Sequence, residues 1–168
     1  NVNVLNRDDS SPPCDADKYR SEIYRAMYLA TRTRPDILYA VSLLATRVQA
    51  PTTRDYNAYI HLLEYLNGTK ELCLTFRDGE PCVSSYIDAA YNMHADAKSH
   101  SGAACFINNQ SGAIASKSTK QKTTADSSCA AELNALSTYA RQAVWFKNLL
   151  SALGCGVEKI TIHQDNKS

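Results

Sequence analysis

From Tyr19 onward, apolar residues recur at Tyr19, Ile23, Met27 and Ala30, a spacing that predicts a helix ending near Pro35, since proline disfavours helix at the residue before it. A second helix fits Asp36 to Gln49, with Ile37, Ala40, Val41, Leu44 and Val48 on one side. Pro51 breaks it. Thr52 and Asp55 then offer a Thr-x-x-Asp cap for a third helix carrying Tyr56, Tyr59, Ile60, Leu63 and Leu66, with Gly68 as its stop.

After Gly68 the period changes from helical to alternating. Leu72 to Phe76 reads as the start of this region, followed by an Asp78-Gly79 turn. Further strands fit Cys82 to Asp88, Ala103 to Asn108 and Ala113 to Ser118, the last two joined by Asn109-Gln110-Ser111-Gly112. A long helix from about Ser127 to Leu153 is predicted from Leu133, Leu136, Ala140, Ala143, Phe146, Leu150 and Leu153. Lys159 to Asp165 closes the pattern as a short strand. The expected domains are a linker or arm over residues 1–18, rich in Pro and polar residues, a helical module over 19–69, and an α/β domain over 70–168.

Composition narrows the function classes. Eighteen Lys plus Arg face 17 Asp plus Glu, so a net charge of +1 supplies no global pull toward nucleic acid. Local patches remain, and Arg20, Arg25, Arg32, Arg34, Arg47 and Arg54 are expected on polar helix faces, where solvation is the ordinary role and phosphate contact the rarer one. A hydrophobic fraction of 44% without a long apolar run fits a globular protein with no membrane span. The start, Asn1-Val2-Asn3, carries neither an initiator Met nor a signal-like segment, which reads as an internal fragment.

The six cysteines form no Cys-x-x-Cys pair, so neither zinc site nor disulfide framework is expected. Cys73, Cys82 and Cys105 are expected as small buried residues of strands. His94, His100 and His163 match no ligand spacing and are assigned exposed loop or strand positions, while Trp145 and Phe146 are expected to pack the long helix on the sheet.

Three acids occupy informative places: Asp88 at a strand end, Glu132 early in the long helix, and Asp165 at the end of the last strand. A helical crossover between strands of one sheet makes them parallel, so the ends bearing Asp88 and Asp165 can meet, with Glu132 projecting from the helix that covers them. Glu132 is no capping-box residue, because that box needs a Ser at 129, where the chain has Cys. Converging carboxylates suit hard divalent cations, and two such ions roughly 3.5–4 Å apart can serve phosphodiester cleavage.

Beyond these spacings lies a resemblance. Tyr19-Arg20-Ser21, the run Tyr28-Leu29-Ala30-Thr31-Arg32-Thr33-Arg34-Pro35-Asp36-Ile37, Tyr39-Ala40-Val41 and Glu64-Tyr65-Leu66-Asn67-Gly68-Thr69 resemble the segment following the reverse-transcriptase core of copia-type LTR retrotransposons. Tyr86-Ile87-Asp88-Ala89-Ala90-Tyr91, His100-Ser101-Gly102, Ser116-Lys117-Ser118-Thr119-Lys120-Gln121, Ser127-Ser128-Cys129-Ala130-Ala131-Glu132 and Asp165-Asn166-Lys167-Ser168 resemble successive motifs of that family's ribonuclease H-like domain. The likeness spans residues 19 to 168.

It implies an α/β, ribonuclease H-like mixed sheet of three antiparallel strands, a long helix and a parallel strand, preceded by the helical module. It also implies an activity: cleaving the RNA strand of RNA–DNA hybrids during reverse transcription, beside the polymerase domain of the same polyprotein. Asp88, Glu132 and Asp165 would be catalytic and metal-binding acids, holding two Mg²⁺ ions with Mn²⁺ as an alternative. The setting expected is intracellular, in a cytoplasmic virus-like particle or the nucleus. Ala90 and Ala130 depart from the family's usual Asp and Glu. A fourth acid from a later helix is expected past Ser168, so the chain reads as a truncated copy. Two alternatives stay open: an integrase-like polynucleotidyl transferase, whose acids run Asp, Asp, Glu, and a domesticated fragment that binds nucleic acid or protein without cutting.

Overall fold

A computed structural model describes residues 10–165, so Asn1 to Asp9 of the expected arm and Asn166-Lys167-Ser168 of the last motif lie outside the described residues. Two compact units divide the chain, Asn1–Cys73 and Leu74–Ser168.

Helices build the first unit: α1 (Ala16–Arg32), a 3-10 turn at Pro35–Ile37, α2 (Leu38–Ala45) and α3 (Thr53–Gly68). Asp15 starts α1 ahead of Tyr19, because its carboxylate accepts from the backbone N–H groups of Asp17 and Lys18 at 3.0 Å. Pro12 to Cys14, within the expected arm, are held: Thr53 N donates to Pro12 O at 2.8 Å and Cys14 N to Pro51 O at 3.1 Å. The second helix is shorter than its apolar pattern, since Pro35 opens a 3-10 turn and α2 stops at Ala45. At α3 the capping box forms as expected, with Thr52 N donating to Asp55 Oδ2 at 2.8 Å.

Tyr19, Ile23, Ala30, Val41, Leu44, Tyr59 and Leu62 form much of this unit's core. On α3 the buried side chains are Tyr59 and Leu62, with Tyr56 and Leu66 packed partly against the same core, whereas Ile60 and Leu63 lie off that face and are exposed. Two buried phenols keep partners: Tyr19 OH donates to Leu44 O and Tyr59 OH to Glu22 Oε2, both at 3.0 Å. Arg34 is the larger correction. Expected on a solvated face, it is buried and donates to Asp36, at 2.8 Å in the shortest contact, and to Thr69 O at 3.0 Å.

The second unit contains β1 (Val83–Ala90), β2 (Lys98–Phe106), β3 (Ala115–Thr124), α4 (Ser128–Ala152) and β4 (Ile160–His163), with strand order β3-β2-β1-β4. The first three strands are antiparallel neighbours and β4 runs parallel to β1. This mixed α/β sheet, with α4 crossing over between β3 and β4, is compatible with a ribonuclease H-like fold.

Several expectations change here. Leu72 to Phe76 is not a strand; Leu72 and Phe76 are exposed, and Thr75 O instead accepts from Gly112 N at 2.8 Å. A Cβ at Gly112 would stand 3.0 Å from Leu74, which fits glycine at this approach. β2 starts before Ala103 and β3 runs beyond Ser118, because β2 buries Ser99, His100 and Ser101 and β3 is a lysine-bearing edge strand without apolar alternation. His100 is therefore buried, not exposed. Cys105 alone of the three expected strand cysteines is buried in a strand, and burial pushes its thiol pKa up.

Another concerns α4. Its buried face is Ala131, Glu132, Ala135, Tyr139, Ala143 and Leu150, whereas Leu133 and Leu153 face outward. Alanines let the helix lie close on the strands, so the packing stripe is offset from the leucine pattern. Phe146 packs with Val83 and Cys105, but Trp145 is 58% exposed and meets the Phe146 ring edge-on at 4.9 Å.

Candidate functional site

Parallel pairing sets the site. Val83 opposes Ile160 and Tyr86 opposes His163, so Asp88 and Asp165 each stand two residues beyond the last paired position on neighbouring strands. Tyr86 and His163 stack at 4.3 Å directly before them. Exposed Tyr86 and Asp88 alternate with buried Ser85 and Ile87, and Ile87 packs against Ala135 and Tyr139 of α4. The strand is anchored by one face while its acid stays in solvent.

Glu132 arrives from α4, whose N-cap is Ser127: its hydroxyl accepts from Ala130 N at 3.1 Å. This cap fixes the first turn, and the next residues put Ala131 and Glu132 on the sheet side. Glu132 is 6% exposed, yet both its oxygens have partners. Oε1 accepts from Ala89 N at 3.1 Å, and Oε2 accepts from Gln164 Nε2 at 2.9 Å. One bond comes from each acid-bearing strand, so the carboxylate is clamped between them.

All three sequence-identified acids come together: one carboxylate oxygen each from Asp88, Glu132 and Asp165 lies within 4.8 Å of the others. The donor set is hard oxygen throughout, as Mg²⁺ or Mn²⁺ requires. No sulfur or imidazole belongs to this group.

Two glutamines escaped the sequence argument. Gln164 sits between His163 and Asp165 in the last strand region, and its contact with Glu132 appears only once α4 and β4 are packed. Gln121, the last residue of the quoted Ser116–Gln121 motif, donates to Ser101 Oγ at 2.8 Å and Ala131 O at 2.9 Å, tying β2 and β3 to the first turn of α4. A motif position was the only available signal for it.

Beside the acids, β1 and β2 are joined by a loop that contains His94. His94 Nε2 and His100 Nδ1 lie 3.0 Å apart, and His100 Nε2 is 2.8 Å from Ser118 Oγ. Burial, followed by the neighbouring His94, lowers the His100 pKa to about 4.

Among curated proteins, the chain is 30% identical over 151 residues to the retrovirus-related Pol polyprotein from transposon TNT 1-94 of Nicotiana tabacum, covering 89% of this chain and 11% of that one. It is 31% identical over 142 residues to the Pol polyprotein from transposon RE2 of Arabidopsis thaliana, covering 83% and 10%. A third relative, secreted RxLR effector protein 161 of Plasmopara viticola, is 33% identical over 128 residues, covering 76% and 89%. No family model and no solved structure matches the chain. The chain thus spans about a tenth of the length of the Pol polyproteins it matches. Motifs in one order and transposon relatives aligned over most of the sequence lead to one assignment: the chain belongs to the copia-type retrotransposon Pol polyproteins, as a segment of such a polyprotein.

Proposed function

We propose that residues 70–168 are a ribonuclease H domain acting on the RNA strand of RNA–DNA hybrids, and that residues 19–69 are the segment joining it to a reverse-transcriptase polymerase domain. One observation carries the proposal: the approach of Asp88, Glu132 and Asp165 to within 4.8 Å at the end of a mixed sheet. The retrotransposon relatives support it by supplying a polyprotein in which such a step has a use.

Asp88, Glu132 and Asp165 would hold the divalent ions. Bound Mg²⁺ supplies charge neutralisation at the phosphodiester and activation of water, chemistry that needs no protein nucleophile. Exposed Asp88 and Asp165 face solvent, where a phosphate can approach, while buried Glu132 is held by Ala89 N and Gln164. The protein's part is to keep three negative groups converged against their mutual repulsion. Ala89 N and the Gln164 amide offset some of that repulsion by donating to Glu132.

An intracellular setting, in a virus-like particle or the nucleus, goes with this function. Among the described residues none of the six cysteines forms a disulfide, in keeping with a reducing compartment. Among the described residues no helix is long and apolar enough to cross a membrane.

Calorimetric titration of Mg²⁺ into the full chain tests the metal site. Heat of binding that Asp165→Asn abolishes is expected; equal heats from both proteins would remove the site. The match to a secreted effector over 89% of its length favours a second reading, a domesticated chain that binds without cutting. That reading predicts no Mg²⁺-dependent cleavage of a labelled hybrid, whereas the ribonuclease reading predicts cleavage confined to the RNA strand.

A further inference from the structure

On α1, far along the sequence from the acids, Arg20, Tyr24, Tyr28 and Arg32 follow one another at four-residue steps. Such a row runs down one side of a helix, here opposite the buried Tyr19, Ile23, Ala26 and Ala30. Tyr24 is 58% and Tyr28 69% exposed, so two large rings are left in water by a unit that buries Tyr19 and Tyr59 completely or nearly so. Arg32 lies over the Tyr28 ring at 5.7 Å. Arg20 pairs with Asp17 at 3.1 Å, in a solvent-exposed pair that contributes little and exchanges readily.

We propose that the Arg20–Tyr24–Tyr28–Arg32 row is a binding surface for single-stranded nucleic acid, used without sequence preference. Single strands combine a polyanionic backbone with exposed π faces, and this row offers guanidinium groups at its two ends and phenol rings between them. Spacing favours the same partner: four helical residues rise about 6 Å. That is close to the roughly 7 Å needed for a ring inserted between bases whose own stack is about 3.4 Å. A protein partner would use tyrosine and arginine equally well but sets no such period.

This surface goes beyond the ribonuclease proposal and stands independently of it, since the row and the acids lie in different units. The experiment is fluorescence anisotropy of a labelled oligo(dT) titrated with the full chain in EDTA, at several salt concentrations. Wild type is expected to bind, with affinity falling as salt rises. Tyr24→Ala with Tyr28→Ala should weaken binding about tenfold or more, while the corresponding pair of Tyr→Phe changes keeps it within about twofold. Arg20→Glu with Arg32→Glu, which leaves both rings in place, should also lose at least about tenfold and flatten the salt dependence. Leu153→Ala, an exposed change in the other unit, should bind as wild type, and EDTA keeps metal binding by the acids out of the readout. Absence of salt-sensitive binding by wild type, or alanine and glutamate variants that bind like it, would overturn the proposal. So would concentration-dependent self-association through α1 with no oligonucleotide bound, which would assign the row to a second copy of the chain.

Discussion

Arg34 shows how a single side chain can be misread from its type. Its guanidinium pairs with Asp36, donates to both oxygens of Thr69 and lies 5.7 Å from the Tyr65 ring, whose hydroxyl donates to Asp36 at 3.0 Å. An arginine just before a proline looks solvated; only the return of α3 beside the end of α1 encloses it. Removing one partner of a buried pair costs ~3–5 kcal/mol, but Asp36 keeps 34% of its side chain in water, so Arg34→Ala should cost about 2 kcal/mol. Urea denaturation checks this, and a change below about 0.5 kcal/mol would count against the network. Gln164 matters for a different reason. By holding Glu132, it should set metal affinity, so Gln164→Ala is expected to weaken Mg²⁺ binding about tenfold in calorimetry with little change in melting temperature. An unchanged affinity would show that Glu132 is held sufficiently by Ala89 N.

At the scale of elements, what was legible depended on how packing and hydropathy relate. α1 and the capped start of α3 followed their patterns because one apolar face and one local hydrogen-bonded box define each. β2 and β3 were underestimated because serine, histidine and lysine occupy positions that a hydrophobic alternation cannot reveal. On α4 the inner face matches the pattern at Leu136, Ala143, Phe146 and Leu150, but Ala131 and Ala135 pack inward where Leu133 is expected, and Leu133 and Leu153 turn outward. Enlarging a close-packed position is costly, so Ala135→Leu should destabilise by about 1–3 kcal/mol. Leu133→Ala, on the outer face at 57% exposure, should stay within about 0.5 kcal/mol. Reversed magnitudes in thermal unfolding would restore the leucine face.

Across the whole molecule, the sequence disclosed the acids through strand ends, one helix turn and family motifs, while it was silent on the Gln164 clamp and the Gln121 tie. Those need the tertiary approach of α4 to β3 and β4, which no local spacing encodes. Acid sensitivity is also a property of the assembled units. His100 has its pKa lowered from 6.5 to about 4, so its contribution to stability is complete above about pH 6.5 and is lost as pH falls toward 4. In the helical unit, Arg34 beside Asp36 holds that carboxyl below its ordinary 3.8, and its contribution persists to lower pH. Trp145, the sole tryptophan, reports on the sheet unit. Its fluorescence in denaturant titrations should show stability falling between pH 6.5 and 4, and His100→Gln should flatten that fall; an unchanged slope would assign the acid sensitivity elsewhere.

The central claim is that the converged acids cut RNA. Its most direct measurement is the initial rate at which the full chain cleaves an RNA–DNA hybrid labelled separately on each strand, with Mg²⁺ or EDTA, for wild type and Asp88→Asn. Cleavage of the RNA strand alone is predicted, dependent on Mg²⁺ and reduced at least about a hundredfold by Asp88→Asn. Equal rates for the two proteins, or no Mg²⁺-dependent cleavage by wild type, would contradict it.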